Sequence, residues 1–208
     1  KQCIENLTIF SKRQMEAFSS LNQISVEVKK GVVISHRVIP LDRVGIYVPG
    51  GRYPLVSSLI MAAVPAIVAG VKEIAVCSPP DRGGNVNHVI LYTASLLGID
   101  EIYSIGGAQG VAALALGTES IKQVDKIVGP GNIYVATAKR ELFGEVGIDF
   151  IAGPTEVLII ADGGANPEYI ASDLLAQAEH DIMARPVLIT DNMRLVESVL
   201  KELEKQLS

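Results

Sequence analysis

Short β-branched runs begin near Val44, Ile74, Ile102, Lys126, Val157 and Val187, roughly 24 to 31 residues apart, and this period is the strongest constraint on the fold. Each run is followed by a stretch with helical spacing of apolar residues. Strand, helix and strand at that interval is the pattern of βαβ units, in which the crossover is long enough to hold a helix and the strands run parallel. The right-handed crossover rule then puts helices on both faces of the sheet. The expected class is α/β, with repeated βαβ units forming a Rossmann-like, mostly parallel sheet or sheets.

The flanks fit less regularly. Lys1 to Leu21 carries Ile4, Leu7, Phe10, Met15 and Phe18 at roughly helical spacing, and Gly31 to Ile39 reads as a strand. Near the other end, Asn166-Pro167-Glu168 supplies a capping side chain, a proline at the first helical position and an acid at the positive end of the dipole. The helix that follows is expected to reach His180, with Ile170, Leu174, Leu175 and Ala178 on its apolar face. A last helix is expected over Asn192 to Leu207, with Leu195, Val199, Leu200 and Leu203 at helical spacing. The alternation is interrupted near Arg43 and again near Gly153. The expected organisation is therefore a module over residues 44–153, flanked by residues 1–43 and 154–208 as parts of another, discontinuous Rossmann-like domain. The chain opens at Lys1 without an initiator Met and runs directly into a helical pattern, so it reads as an excerpt.

Composition excludes some roles. Hydrophobic residues are 49% and charged residues 20% of the chain, a balance that suits strands buried on both faces. The longest apolar stretch, Leu55 to Ala69, is interrupted by Ser57, Ser58 and Pro65 and is too short to span a bilayer. The formal net charge is −5 and the 18 Lys and Arg are scattered, whereas nucleic-acid binding needs a basic face. Cys3 and Cys77 form neither a disulfide framework nor a metal motif.

Ligands of open parallel sheets bind outside the carboxyl ends of the strands. Glycine occurs there three times: in Pro49-Gly50-Gly51, in Gly106-Gly107-Ala108-Gln109-Gly110 and in Gly129-Pro130-Gly131-Asn132. Glycine lets a ligand approach the backbone, and the N–H groups of the following helix can receive a pyrophosphate. None of the three is G-x-G-x-x-G, and each alone is equally well a tight βα turn. Together, with the amides of Gln109 and Asn132 to meet ribose hydroxyls or a carboxamide, they point to a nucleotide-sized ligand.

Gln177 and His180 share a face of the expected helix, an oxygen and an imidazole donor that make half of a zinc site. A solvated helix end is the plainer alternative. His36 and His88, the other two histidines, lie in no pattern that brings them to His180. Cys77 could serve as a nucleophile at a strand end, but without a companion histidine it reads as a buried structural thiol. Thr155, in Gly153-Pro154-Thr155-Glu156, is a substrate contact or a turn hydroxyl.

Val44-Gly-Ile-Tyr-Val-Pro-Gly-Gly51, Cys77-Ser-Pro-Pro80, Gly106-Gly-Ala-Gln109, Lys126-Ile-Val-Gly-Pro-Gly-Asn132, Ala152-Gly-Pro-Thr-Glu156 and Ser172-Asp-Leu-Leu-Ala-Gln-Ala-Glu-His180 occur in this order. In these six motifs the chain resembles the histidinol dehydrogenases over essentially its whole length. The resemblance implies a cytoplasmic homodimer that oxidises L-histidinol to L-histidine through L-histidinaldehyde in two NAD-dependent steps, closing histidine biosynthesis. It implies NAD contacts at Tyr47, Gln109 and Asn132, a substrate contact at Thr155 (serine in many members), and zinc ligands at Gln177 and His180 that also touch the substrate. It further implies that the acid–base Glu-His pair and the remaining zinc ligands, an Asp and a His, lie outside these residues. No catalytic residue is then expected within the chain, and the 208 residues alone are expected to be inactive. A non-catalytic nucleotide-binding or dimerising module, or a related NAD- and zinc-dependent dehydrogenase of another amino alcohol or a sulfonated alcohol, are the alternatives.

Overall fold

The computed structural model describes residues 1–50, 54–151, 156–180 and 184–207, and of His180 the backbone only. The chain divides into two compact units, Lys1–Ile151 and Ala152–Ser208.

The first unit opens with α1 (Gln2–Ser19), a short 3-10 turn, and an antiparallel hairpin of β1 (Ser25–Lys29) and β2 (Val32–Ser35). Every residue of that hairpin is exposed. The strand expected over Gly31 to Ile39 thus covers only Val32–Ser35, and His36 lies just beyond it. Next come β3 (Arg43–Tyr47), α2 (Val56–Ala69), β4 (Glu73–Ser78), α3 (His88–Leu96), β5 (Glu101–Ser104), α4 (Gly107–Leu116), β6 (Lys126–Val128), α5 (Ile133–Glu141) and β7 (Gly147–Ile148). The five strands β3 to β7 form one sheet, ordered β5-β4-β3-β6-β7 and parallel throughout.

That order dictates where a crevice opens. From β3 the chain steps outward to β4 and β5, then returns across β3 to lay down β6 and β7 on its other side. The helices accordingly divide between two faces. Val44, Ile46, Val48 and Val76 pack with Leu59 and Ala63 of α2 and Ile90 and Ala94 of α3. Tyr47, Ala75, Cys77 and Ile127 pack with Val111 and Leu114 of α4 and Val135 of α5. All of β3 is buried, as a central parallel strand covered on both faces must be. The expected doubly covered parallel sheet is therefore present, with its topological switch point between β3 and β6.

The second unit contains β8 (Glu156–Ile160), α6 (Pro167–His180), β9 (Arg185–Ile189) and α7 (Met193–Leu207). β8 and β9 pair in parallel. Asn166 caps α6 by accepting from the Glu168 N–H at 2.9 Å, as its sequence context predicts. Ile170, Ala171 and Leu174 of α6 are buried with Leu195 and Val199 of α7. Ala178 is exposed and Leu200 is 55% exposed, so both lie off the stripe that covers the two five-residue strands. Leu158, Ile160, Val187 and Ile189 are exposed on the strands' other face.

Candidate functional site at the carboxyl edge of the parallel sheet

At the amino ends of the strands the sheet is closed by charge. Arg43 begins β3 with its side chain 8% exposed, and its guanidinium donates to Glu101 at 2.5 and 2.7 Å and to Glu73 at 2.7 Å. This fork-to-carboxylate geometry is the strong form of the interaction. Arg43 is held further on the protonated side, chiefly by the Glu101 hydrogen bond, and Glu101 is depressed below its ordinary range by Arg43. These charges open successive strands, Arg43 directly opposite Glu73 and Glu101 opposite Ala75 two residues further along, and all lie at the amino edge.

The opposite edge gathers the glycine turns after β5 and β6; Gly51 of the turn after β3 lies outside the described residues. Tyr47 ends β3 and is 2% exposed, its ring in the core and its hydroxyl accepting the Gly107 N–H at 2.9 Å. Burial raises the phenol above its ordinary range, with the Gly107 hydrogen bond opposing, so the hydroxyl keeps its proton and can still donate. Gly107 opens α4, and Gln109 in the same turn is exposed with its carboxamide beside Gly107. Gly106 lies so close to Pro79, at the end of β4, that a Cβ there would stand 2.5 Å from the proline ring.

The third turn reaches the same place from β6. Gly129 has φ +113, and a Cβ on it would lie 2.2 Å from the carbonyl oxygen of Tyr47; only glycine allows that approach. Asn132 caps α5, its Oδ1 accepting from the N–H groups of Tyr134 at 3.1 Å and Val135 at 3.2 Å. With Oδ1 engaged and the residue exposed, the side chain's remaining hydrogen-bonding capacity lies mainly in the Nδ2 donor. Asn132 is thus a donor here, more restricted than the sequence suggests. Tyr47, Gln109 and Asn132 stand on turns that Tyr47 ties together at the switch point.

Sequence reasoning missed a buried ion pair beneath this edge. Lys139 of α5 has its side chain 3% exposed and pairs with Asp149, just after β7. Lys139 Nζ also donates to the Gly129 carbonyl at 2.8 Å, while Asp149 Oδ2 accepts the Gly129 N–H at 2.8 Å. The Phe150 ring centroid lies 5.8 Å from the ammonium. The residues are ten apart on elements whose burial only the tertiary fold decides. A lysine amid the apolar face of an expected crossover helix was the available signal.

The other expected positions are less gathered. Cys77 is fully buried at the end of β4, and burial, helped by the Glu101 charge, pushes its thiol up to about 12. It packs as a core residue, with burial disfavouring the reactive thiolate. Gln177 is half-buried on α6 and position 180 is one turn further on; Thr155 and the His180 side chain lie outside the described residues. Among the described residues, no group of three or more His, Cys, Asp or Glu could hold a metal.

A parallel α/β sheet with glycine turns converging at its switch point defines a doubly wound protein of the class that takes ligands at the strands' carboxyl ends. The model of the histidinol dehydrogenase family matches residues 1–208. The chain is 53% identical to the histidinol dehydrogenase of Listeria monocytogenes serovar 1/2a, covering all of this chain and 47% of that one. To that of Geobacillus kaustophilus it is 49% identical, over 100% of this chain and 48% of the relative. The crystal structure of histidinol dehydrogenase from Elizabethkingia anophelis superposes with a TM-score of 0.79 at 46% identity, over 88% of this chain and 43% of that one. An acetylating aldehyde dehydrogenase from Geobacillus thermoglucosidasius, at 19% identity and TM-score 0.52 over 81% of this chain and 37% of that one, shares the fold. The chain belongs to the histidinol dehydrogenase family, and it spans less than half the length of the relatives it matches.

Proposed function

We propose that these residues bind the nicotinamide nucleotide, and supply part of the zinc and substrate site, in an enzyme that oxidises L-histidinol to L-histidine through L-histidinaldehyde. The observation that carries this reading is the meeting of the Gly107 and Gly129 turns at Tyr47, beside the β3/β6 switch point, in a chain of this family. The residues fit a dinucleotide: Gly106 and Gly129 let their turns pack tightly against Pro79 and Tyr47, and the exposed Gln109 and Asn132 present amides beside the first turns of α4 and α5.

NAD, when bound, accepts a hydride at each of two oxidations, and water adds to the aldehyde between them, so one histidinol gives one histidine and two NADH. Tyr47 holds the α4 turn in place through the Gly107 N–H and keeps its own proton for a ligand oxygen. The Nδ2 group of Asn132 donates, and the Gln109 carboxamide can donate and accept, so they distinguish a ribose or carboxamide from bare phosphate. Neither replaces a general base. That role falls to the Glu-His pair expected outside these residues.

Gln177 and His180 would hold zinc together with ligands from outside the chain, and Thr155 would contact the substrate. The chemistry zinc would supply there is orientation of the substrate more than acidity. We extend the reading to residues 1–43 and 154–208 as parts of one domain and 44–153 as the nucleotide-binding one, in a cytoplasmic homodimer.

The test is histidinol-dependent NADH formation by the protein at its natural length and by these 208 residues. Turnover by the longer protein alone is expected. Turnover only of another amino alcohol or a sulfonated alcohol would reassign the substrate, and NAD binding without any turnover would favour a non-catalytic module. Gln177→Ala and His180→Ala are each expected to lose bound zinc by metal analysis; full retention would refute the ligand assignment.

A further inference from the structure

We infer that Lys139 and Asp149 are positioning residues that set the Gly129-Pro130-Gly131-Asn132 turn for the nucleotide, an inference that rests on the nucleotide reading above. Burying an ammonium and a carboxylate is costly even when they pair, and apolar residues of like volume serve stability as well or better. A turn that needed only to be stable would not require them. This pair does what an apolar pair cannot: it grips one residue by both polar backbone atoms. Asp149 accepts the Gly129 N–H, Lys139 donates to the Gly129 carbonyl, and the two side chains close the ring.

The gripped residue is where position matters most. Gly129 lies at positive φ against the Tyr47 carbonyl, and Tyr47 in turn holds Gly107 and the α4 turn. The exposed Asn132, which caps α5, follows three residues later. Any slackening of the ring moves the β6 turn against the β5 turn and widens the crevice between them. The opposite charges offset one another and Lys139 is buried, so the pair acts through geometry and not by attracting the phosphates.

The protein at its natural length serves for the test. In Lys139→Met, KM for NAD is expected to rise by about tenfold or more, with kcat, KM for histidinol and zinc content within about twofold. The double variant Lys139→Met/Asp149→Leu leaves no unpaired buried charge and is expected to regain thermal stability while keeping the raised KM for NAD. Glu101→Gln, at the far edge of the same sheet, is expected to lower stability and leave KM for NAD unchanged. Recovery of KM together with stability in the double variant would overturn the inference, because the role would then be structural only. Amide hydrogen exchange gives a readout independent of catalysis: in both Lys139 variants residues 129–134 are expected to exchange about tenfold or more faster, with β3 and β4 unchanged. Unchanged exchange there would also overturn it. A wild-type protein that bound no NAD would instead sink the nucleotide reading itself.

Discussion

Tyr47 shows how a residue can matter to a ligand without lying on the surface. Its ring fills the core between the sheet and α4, and its hydroxyl fixes the Gly107 N–H at 2.9 Å. Tyr47→Phe keeps the packing and orphans that N–H, so a loss of about 1–3 kcal/mol is expected by urea denaturation, with weaker NAD binding by titration calorimetry. Unaltered affinity would show that the α4 turn holds itself. Cys77, one strand away, makes the opposite case. With its thiol buried and pushed up to about 12, it is expected to resist iodoacetamide in the native protein while exposed Cys3 reacts; peptide mass spectrometry separates the two. The sequence names Tyr47 through its motif but does not reveal its burial, because the alternation of Gly45 and Tyr47 toward the α4 face depends on which helices return to that side.

Among the elements, those with the longest apolar runs were the most legible. The expected strand starts at Val44, Ile74, Ile102, Lys126, Val157 and Val187 fall within two residues of β3, β4, β5, β6, β8 and β9, since each run is β-branched and bounded by turn residues. β7 was not legible: its two residues, Gly147–Ile148, are a strand only because β6 lies beside them. Nor was β1, whose five exposed residues bury nothing. The Arg43 clamp was missed for another reason, that its charges look like ordinary strand boundaries until the register aligns them. Its consequence is a pH dependence. Glu101 is depressed in the folded chain by Arg43, so its contribution is complete above its ordinary value of 4.5 and is lost as pH falls through the lower folded value. The urea midpoint is expected to drop in that acidic range in the wild type and to drop less in Glu101→Gln. Parallel pH profiles would assign acid instability to other carboxylates.

For the molecule as a whole, what the chain holds and what it lacks follow from the same geometry. The parallel sheet is complete enough to form its switch point, while among the described residues no group of three or more His, Cys, Asp or Glu could hold a metal. The exposed Leu158, Ile160, Val187 and Ile189 face and the bare β1–β2 hairpin are apolar surface of the kind that marks a contact. The isolated 208 residues are expected to associate as concentration rises, by sedimentation velocity; a monomer at every concentration would contradict this. The most direct test of the central claim is titration of 15N-labelled protein with NAD. The amide shifts of Gly107, Gln109, Gly131 and Asn132 are expected to move together, with Arg43, Glu73 and Glu101 at the amino edge unmoved. Shifts confined to the amino edge, or to the β8–β9 unit, would contradict it.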